Sequence, residues 1–106
     1  MWRISLTGIE QIELILKSNK FNYQKEYRFH PVRKWRFDFL IGNKIAIEYE
    51  GGAYGNSRHR FSSGFIKDCE KYNQAQLLGY KVLRYTVDIF KNPQQIIDDV
   101  RALDEL

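Results

Sequence analysis

The chain has 106 residues, 43% hydrophobic and 28% charged, a composition typical of one globular domain and not of a disordered segment. A single cysteine, Cys69, excludes an internal disulfide and a cysteine-cluster metal site. No apolar run reaches the roughly 18 residues that a membrane span needs, and the start lacks the apolar core of a signal peptide. We therefore expect one domain over residues 1–106, cytoplasmic and without a membrane partner.

Positive charge is concentrated in the middle of the chain. Lysine and arginine number 17 against 13 acidic residues, which gives a net charge of +4. Between residues 28 and 67 there are eight basic residues and three acidic ones. This local excess indicates a polyanionic partner such as a nucleic acid.

The first half of the chain predicts one helix followed by three strands. A capping box at Thr7–Glu10 opens the helix, and residues 19–22 end it. Alternation of apolar and polar residues predicts strands over residues 23–29, 35–41 and 44–50. The last two strands form a hairpin around the Gly42-Asn43 turn.

The hairpin has a polar side and an apolar side. We expect Phe37 and Phe39 to share one face of the first strand, with Asp38 on the other. In the second strand Glu48 and Glu50 share one face, opposite Ile47 and its apolar neighbours.

The second half predicts a helix, a strand and a helix. The first helix covers residues 64–78, with Cys69 and Tyr72 on its apolar stripe, and Gly79 caps its end. A short strand covers residues 80–85, and Asn92-Pro93 begins the last helix. The whole order predicts an α/β fold, a mixed sheet of about four strands flanked by helices.

Three carboxylates are predicted on one side of the hairpin: Asp38, Glu48 and Glu50. Three carboxylates this close together repel one another unless a bound cation neutralises them. Mg²⁺ is such a cation, since it prefers carboxylate oxygens and water as ligands. The bound cation could lower the pKa of an attacking water at a phosphate. Alternatively, the three acids are ordinary exposed residues of a strand.

These residues resemble the PD-(D/E)xK nuclease superfamily. The resemblance covers Glu26–Phe39, Ile45–Gly52, Phe65–Asn73 and Leu78–Arg84. These stretches closely resemble small phage and bacterial endonucleases of that superfamily and are similar to the very-short-patch-repair group. The resemblance implies a restriction-endonuclease-like fold and metal-dependent hydrolysis of DNA phosphodiesters, on branched or mismatched DNA, in a bacterial or phage-infected cell.

The resemblance also implies roles for individual residues. Asp38 and Glu48 would be ligands of Mg²⁺, with Mn²⁺ as a substitute, and Glu50 a third ligand or a group that orients water. Glu50 stands where the superfamily has its lysine, so Lys71 on the following helix becomes the candidate cation, with Lys67 second. Glu10 matches an acid of the first helix that contributes to the site, although the capping box explains it equally.

A histidine and two basic segments complete the predicted site. His59 could act as a general acid or base, or only contact phosphate. The predicted DNA-binding residues lie in the basic segments and on the helix that follows: Arg33, Lys34, Trp35, Arg36, Arg58, Arg60 and Lys67. Trp35 could instead be buried beneath a solvated cationic surface.

Two functions from different classes remain open at this point. One is a magnesium-dependent endonuclease, for which a homodimer would suit cleavage of both strands. The other is a non-catalytic nucleic-acid-binding module on the same fold, and a weaker third is a domain whose basic loop binds an acidic protein. Carboxylates that hold a metal favour the first, and a closed network of ion pairs favours the second.

Overall fold

Seven of the eight regular elements in the described residues occur in the order that the sequence predicts. The computed structural model describes residues 5–51 and 63–105. Its elements are α1 (Gly8–Ser18), β1 (Tyr23–Arg28), β2 (Arg36–Ile41), β3 (Ile45–Gly51), α2 (Ser63–Leu77), β4 (Lys81–Thr86), a 3-10 helix (Val87–Lys91) and α3 (Gln94–Asp104). The 3-10 helix is the one described element that the sequence did not predict.

The four strands form one mixed sheet in the order β1-β2-β3-β4. The pairs β1–β2 and β2–β3 are antiparallel, whereas β3 and β4 run parallel. A parallel pair needs a crossover connection, and α2 provides it. The predicted α/β fold with a mixed four-stranded sheet is therefore confirmed. No helix within the described ranges has the length and apolar character that crossing a bilayer requires.

Apolar side chains form two buried clusters, one on each face of the sheet. The first combines residues of α1 and α3 with sheet residues, including Ile12, Leu16, Phe39, Ile47, Ile96 and Val100. The second lies on the α2 side and includes Phe29, Phe37, Leu40, Ala46 and Ala75. In β3 the predicted alternation holds, because Ile45 and Ile47 belong to the first cluster and Ala46 to the second.

The expectation that Phe37 and Phe39 share a face is wrong. Phe37 packs in the α2-side cluster and Phe39 in the opposite one. The register pairs Tyr27 with Phe37 and Lys25 with Phe39, and Glu26 between them has a positive φ of 49°. A left-handed residue interrupts the two-residue alternation of side chains. The break in β2 lies at Asp38, between Phe37 and Phe39, and the register between Lys25 and Tyr27 skips Glu26.

Helix α2 is rotated relative to its predicted apolar stripe. Cys69 is exposed and Tyr72 is half-buried beside charged groups, so the assignment of both to the core is wrong. Ala75 is the buried residue of the helix, and Lys71 lies one turn before it. The predicted cap is confirmed: Gly79 has φ 89°, and the amides of Gly79 and Tyr80 bond back to the last turn.

Gly8→Ala is expected to destabilise the fold by about 1–3 kcal/mol, the usual range for overpacking. A Cβ at Gly8 would overlap the ring of Tyr49, which packs against Phe90 and cannot move freely. Urea unfolding of Gly8→Ala, Tyr49→Val and the double variant would measure the effect. An equal penalty in the Tyr49→Val background would contradict this cause.

Candidate active site

Asp38 and Glu48 lie side by side where β2 and β3 separate. The ladder between the two strands ends at the Phe39–Ile47 pair. One step beyond it, the amide of Asp38 donates to Glu48 Oε2 at 3.0 Å. The amide of Tyr49 donates to Asp38 Oδ2 at 2.7 Å. Each carboxylate is thus fixed by an amide of the opposite strand, and this reciprocal arrangement replaces the missing backbone pair.

Glu48 is a buried carboxylate with a cationic partner. It is 5% exposed and is the one buried charged residue in the described part of the chain. Its Oε1 accepts from the Lys71 ammonium of α2, and from the Tyr72 hydroxyl at 3.1 Å. Burial raises the pKa of Glu48 to about 7; the Lys71 contact opposes that shift, and the neighbouring Asp38 adds to it.

Lys71, the cation proposed in place of the superfamily lysine, is paired with Glu48. Lys71 reaches down from α2 onto the strand that carries Glu48, and its side chain is only 15% exposed. Lys67, the second candidate, is one turn earlier and exposed. The catalytic role of Lys71 itself stays a prediction.

Glu50 shares the α2-side face with Glu48 but is paired with a different cation, Arg84. Its Oε1 accepts from Arg84 Nε at 2.7 Å and from the Tyr72 hydroxyl at 3.3 Å. The structure therefore brings Asp38 and Glu48 together and ties Glu50 to β4. Within residues 5–51 and 63–105, no three carboxylate, imidazole or thiol groups are arranged to hold a metal ion.

The Asp38–Glu48 pair still fits a magnesium site. Mg²⁺ in phosphoryl-transfer sites is commonly held by one or two carboxylates, with water and substrate phosphate completing its shell. A buried carboxylate whose charge is disfavoured by desolvation is also stabilised by an added cation. The assignment of Asp38, Glu48 and Glu50 as metal ligands remains a prediction, and of these the structure places Asp38 and Glu48 in direct contact with each other's strand.

Glu10 occupies the capping box. Its amide donates to Thr7 Oγ1 at 3.1 Å, and its Oε1 accepts from the Thr7 amide at 2.9 Å. The hydrogen bond from the Thr7 amide is the main reason why the pKa of Glu10 lies below its ordinary value. The capping alternative is thus formed, and a role for Glu10 in the site stays untested.

The first basic segment surrounds a partly buried tryptophan. Trp35 is half-buried, stacks on Phe29 with a centroid distance of 6.2 Å, and lies beneath the Arg33 guanidinium at 4.1 Å. Arg33 also pairs with Glu70 of α2. Lys34 and Arg36 are exposed. Trp35 therefore belongs to the α2-side cluster, whereas Lys34 and Arg36 remain available for phosphate contact.

Three predicted residues lie outside the described residues: Arg58, His59 and Arg60. The second histidine, His30, has a structural role, since its Nδ1 accepts from the amides of Val32 and Arg33 at 3.1 and 2.8 Å.

The sequence analysis did not assign Tyr72 and Arg84 to the site. Both contact its carboxylates, Tyr72 at Glu48 and Glu50 and Arg84 at Glu50. Burial raises the pKa of Tyr72, and the charges of Glu48 and Glu50 add to the shift, so the hydroxyl keeps its proton and donates. The sequence signal for Arg84 was its position two residues after Val82 in β4. Residues two apart in a strand share a face, and Val82 packs on the face covered by α2. A cation on such a face requires a carboxylate partner.

Comparison with known proteins supports this architecture. The chain is similar to a solved structure described as the catalytic domain of the homing endonuclease I-Bth0305I. The two are 26% identical, the match covers 92% of each chain, and the TM-score is 0.68. No protein-family model and no curated protein matches the chain. The chain thus shares its fold with a nuclease catalytic domain over nearly its whole length.

Proposed function

We propose that this protein is a metal-dependent endonuclease that hydrolyses DNA phosphodiester bonds. The observation that carries the proposal is the constellation of Asp38, the buried Glu48 and Lys71, on a fold similar to a homing-endonuclease catalytic domain. The excess of basic residues around the acids suits a polyanionic substrate. Branched or mismatched DNA is the substrate that we propose to test first.

Each residue of the constellation has a distinct task in the proposed reaction. Asp38 and Glu48 would hold Mg²⁺ or Mn²⁺. When bound, such an ion polarises the phosphate and lowers the pKa of an attacking water. The Lys71 ammonium contacts the Glu48 carboxylate. It would either bind a phosphate oxygen whose negative charge grows during attack or position the attacking water. The hydrogen bonds from the Asp38 and Tyr49 amides keep the two carboxylates in place.

Asp38→Ala and Glu48→Ala are each expected to lower cleavage by more than about a hundredfold, since even residues that only support metal ligands contribute about 10–100-fold. The measurement is nicking of supercoiled plasmid and cutting of a branched synthetic DNA with Mg²⁺ or Mn²⁺. Asp98→Ala removes an exposed carboxylate of α3, across the sheet, and should retain wild-type activity. Circular dichroism of each variant checks the fold.

A non-catalytic DNA-binding module is the second candidate function. The observation in its favour is that Glu48 and Glu50 already have cationic partners, Lys71 and Arg84. In that case the acids only shape the surface, and the wild type would bind DNA without cutting any substrate with either metal. Unchanged cleavage by both alanine variants would likewise exclude the proposed site.

We further propose that two copies act together on duplex DNA. One small domain presents a single constellation, whereas cutting both strands needs two, and two-fold symmetry is the usual solution. Sedimentation with and without DNA would test this. A protein that stays monomeric on duplex DNA and only nicks it would contradict the dimer.

A further inference from the structure

Arg84 is a cation of the site that neither the sequence motifs nor the comparisons assign. It lies on β4 in register with Glu48 of β3. Partner residues of parallel strands point to the same face of the sheet, and the contact of Arg84 with Tyr72 shows that this face is the one beneath α2. The guanidinium therefore lies on the same face as Glu48, where it contacts Glu50 and the Tyr72 ring.

Two contacts fix the Arg84 side chain. Its Nε donates to Glu50 Oε1 at 2.7 Å, and its guanidinium carbon lies 4.1 Å from the centroid of the Tyr72 ring. Tyr72 is held in turn, because its hydroxyl bonds to the carboxylates of Glu48 and Glu50. The guanidinium is thus oriented before any ligand arrives, which removes much of the entropic cost of binding one.

The Arg84–Glu50 pair is poorly explained as a stabilising ion pair. The Glu50 side chain is 13% exposed, so its desolvation is costly, whereas the Arg84 side chain is 39% exposed and its attraction to Glu50 is screened by water. Replacing ion pairs that are taken out of water by apolar residues is often neutral or stabilising. The arrangement is better suited to presenting a fixed cation to solvent.

Phosphate is the ligand that this cation suits. A guanidinium has five N–H donors, and the contact with Glu50 uses only the one on Nε. The four donors of the terminal nitrogens match a phosphate geometrically, in a bidentate contact. We propose, resting on the endonuclease function above, that Arg84 binds a backbone phosphate of the DNA strand at the Asp38–Glu48 pair. Glu50 is then its positioning residue.

The test measures DNA binding in EDTA, where cleavage cannot occur. Binding of a fluorescent duplex is followed by anisotropy over a range of salt concentrations for wild type, Arg84→Gln and Arg84→Lys. Losing one phosphate contact should reduce the slope of log affinity against log salt by about 0.9 in Arg84→Gln. Arg84→Lys should keep the slope and lose affinity, because its charge remains but the bidentate contact does not. Glu50→Gln should behave like Arg84→Lys.

Arg101→Gln is the matched control, because it removes an exposed arginine from α3 on the opposite face of the sheet. It should leave the slope unchanged, and an equal decrease there would overturn the assignment. Should Arg84→Gln fail to fold, modification of the wild type by phenylglyoxal replaces it. DNA should protect Arg84 from the reagent, as read by mass spectrometry, and full reactivity in the complex would overturn the proposal.

Failure of this proposal is distinguishable from failure of the endonuclease function. If the wild type cuts DNA through Asp38 while Arg84→Gln keeps the full salt slope, the nuclease stands and the role of Arg84 is wrong. If the slope falls but no metal supports cutting, Arg84 binds phosphate on a non-catalytic module. A wild type that does not bind DNA at all overturns both.

Discussion

Lys71→Met is expected to lower the free energy of unfolding by about 3 kcal/mol at pH 8, the low end for breaking a buried ion pair. The variant leaves the carboxylate of Glu48 without its ammonium partner in a site that is 7% exposed at the side chain. The remaining donors, the Asp38 amide and the Tyr72 hydroxyl, carry no full charge. Urea unfolding of wild type and variant in EDTA measures the difference.

The loss should depend on pH and on Glu48. Removing Lys71 removes the interaction that opposes the rise in the pKa of Glu48, so in the variant the carboxyl takes up its proton above the wild-type value of about 7. The penalty should therefore shrink as pH falls from 8 and be smallest below pH 7, where Glu48 is protonated in both proteins. Lys71→Met/Glu48→Gln should recover most of the stability, because no unpaired charge is left. Lys91→Met removes the lysine of an exposed pair, 85% and 77% accessible, and should change nothing measurable. A penalty that persists in the double variant would indicate a packing role for Lys71.

The same variant tests the proposed chemistry. With Mg²⁺, Lys71→Met is expected to lower cleavage by about 10²–10³-fold if its ammonium stabilises the developing phosphate charge. Lys67→Met removes an exposed lysine one turn away and should affect DNA affinity instead. Equal losses of cleavage rate in both variants would indicate a general electrostatic effect and not a role at the reacting phosphate.

The fold was largely predictable because its periodic signals are local. Turn residues such as Gly42 and Gly79 stand where the chain has φ of 61° and 89°, and the apolar alternation of β3 places its residues on the faces where they lie. The proximity of Asp38 and Glu48 followed from the hairpin alone. These features depend on residues within about ten positions of one another, so sequence spacing carries them.

The change of face at Asp38 could not be predicted from spacing. Residues 36–39 alternate between polar and apolar, yet Phe37 and Phe39 pack on opposite sides of the sheet. The break lies beside Glu26 of the neighbouring strand, which has φ 49°. Left-handed backbone is uncommon for a glutamate and costs free energy. The sequence of β1 gives no sign of this left-handed residue, because residues 23–29 include neither a glycine nor an asparagine.

The second half of the site depends on contacts between distant segments. Tyr72 and Arg84 meet Glu48 and Glu50 through the parallel register of β3 and β4 and through the rotation of α2 over them. The predicted stripe assigned Tyr72 to the core, since an aromatic at helical spacing is usually buried among apolar residues. Here Ala75 takes the buried position, and Lys71 and Tyr72 turn toward the acids.

Glu48→Gln is expected to become more stable than the wild type as pH rises from about 4.5 to 8. The pKa of Glu48 is raised by burial from 4.5 to about 7, so the stability linked to its protonated form is complete below pH 4.5 and is lost as pH rises through 7. One pKa unit corresponds to about 1.4 kcal/mol, so the gap in unfolding free energy should widen by about 3 kcal/mol across this range. A glutamine has no carboxyl proton to lose, and its curve lacks this slope.

The measurement compares urea unfolding of both proteins at several pH values in EDTA, and the change in their difference is the quantity of interest. A constant offset from altered hydrogen bonds cancels in that change. Glu70→Gln is the control, because it replaces a carboxylate of α2 whose side chain is 50% exposed. It should show no such widening of the difference in unfolding free energy. A difference between Glu48→Gln and wild type that stays constant with pH would mean that Glu48 is ionised in the folded protein well below pH 7. A bound cation would then gain nothing from neutralising an unfavourable buried charge on Glu48. Any loss of cleavage in Glu48 variants would have to come from the lost geometry of the metal ligand alone.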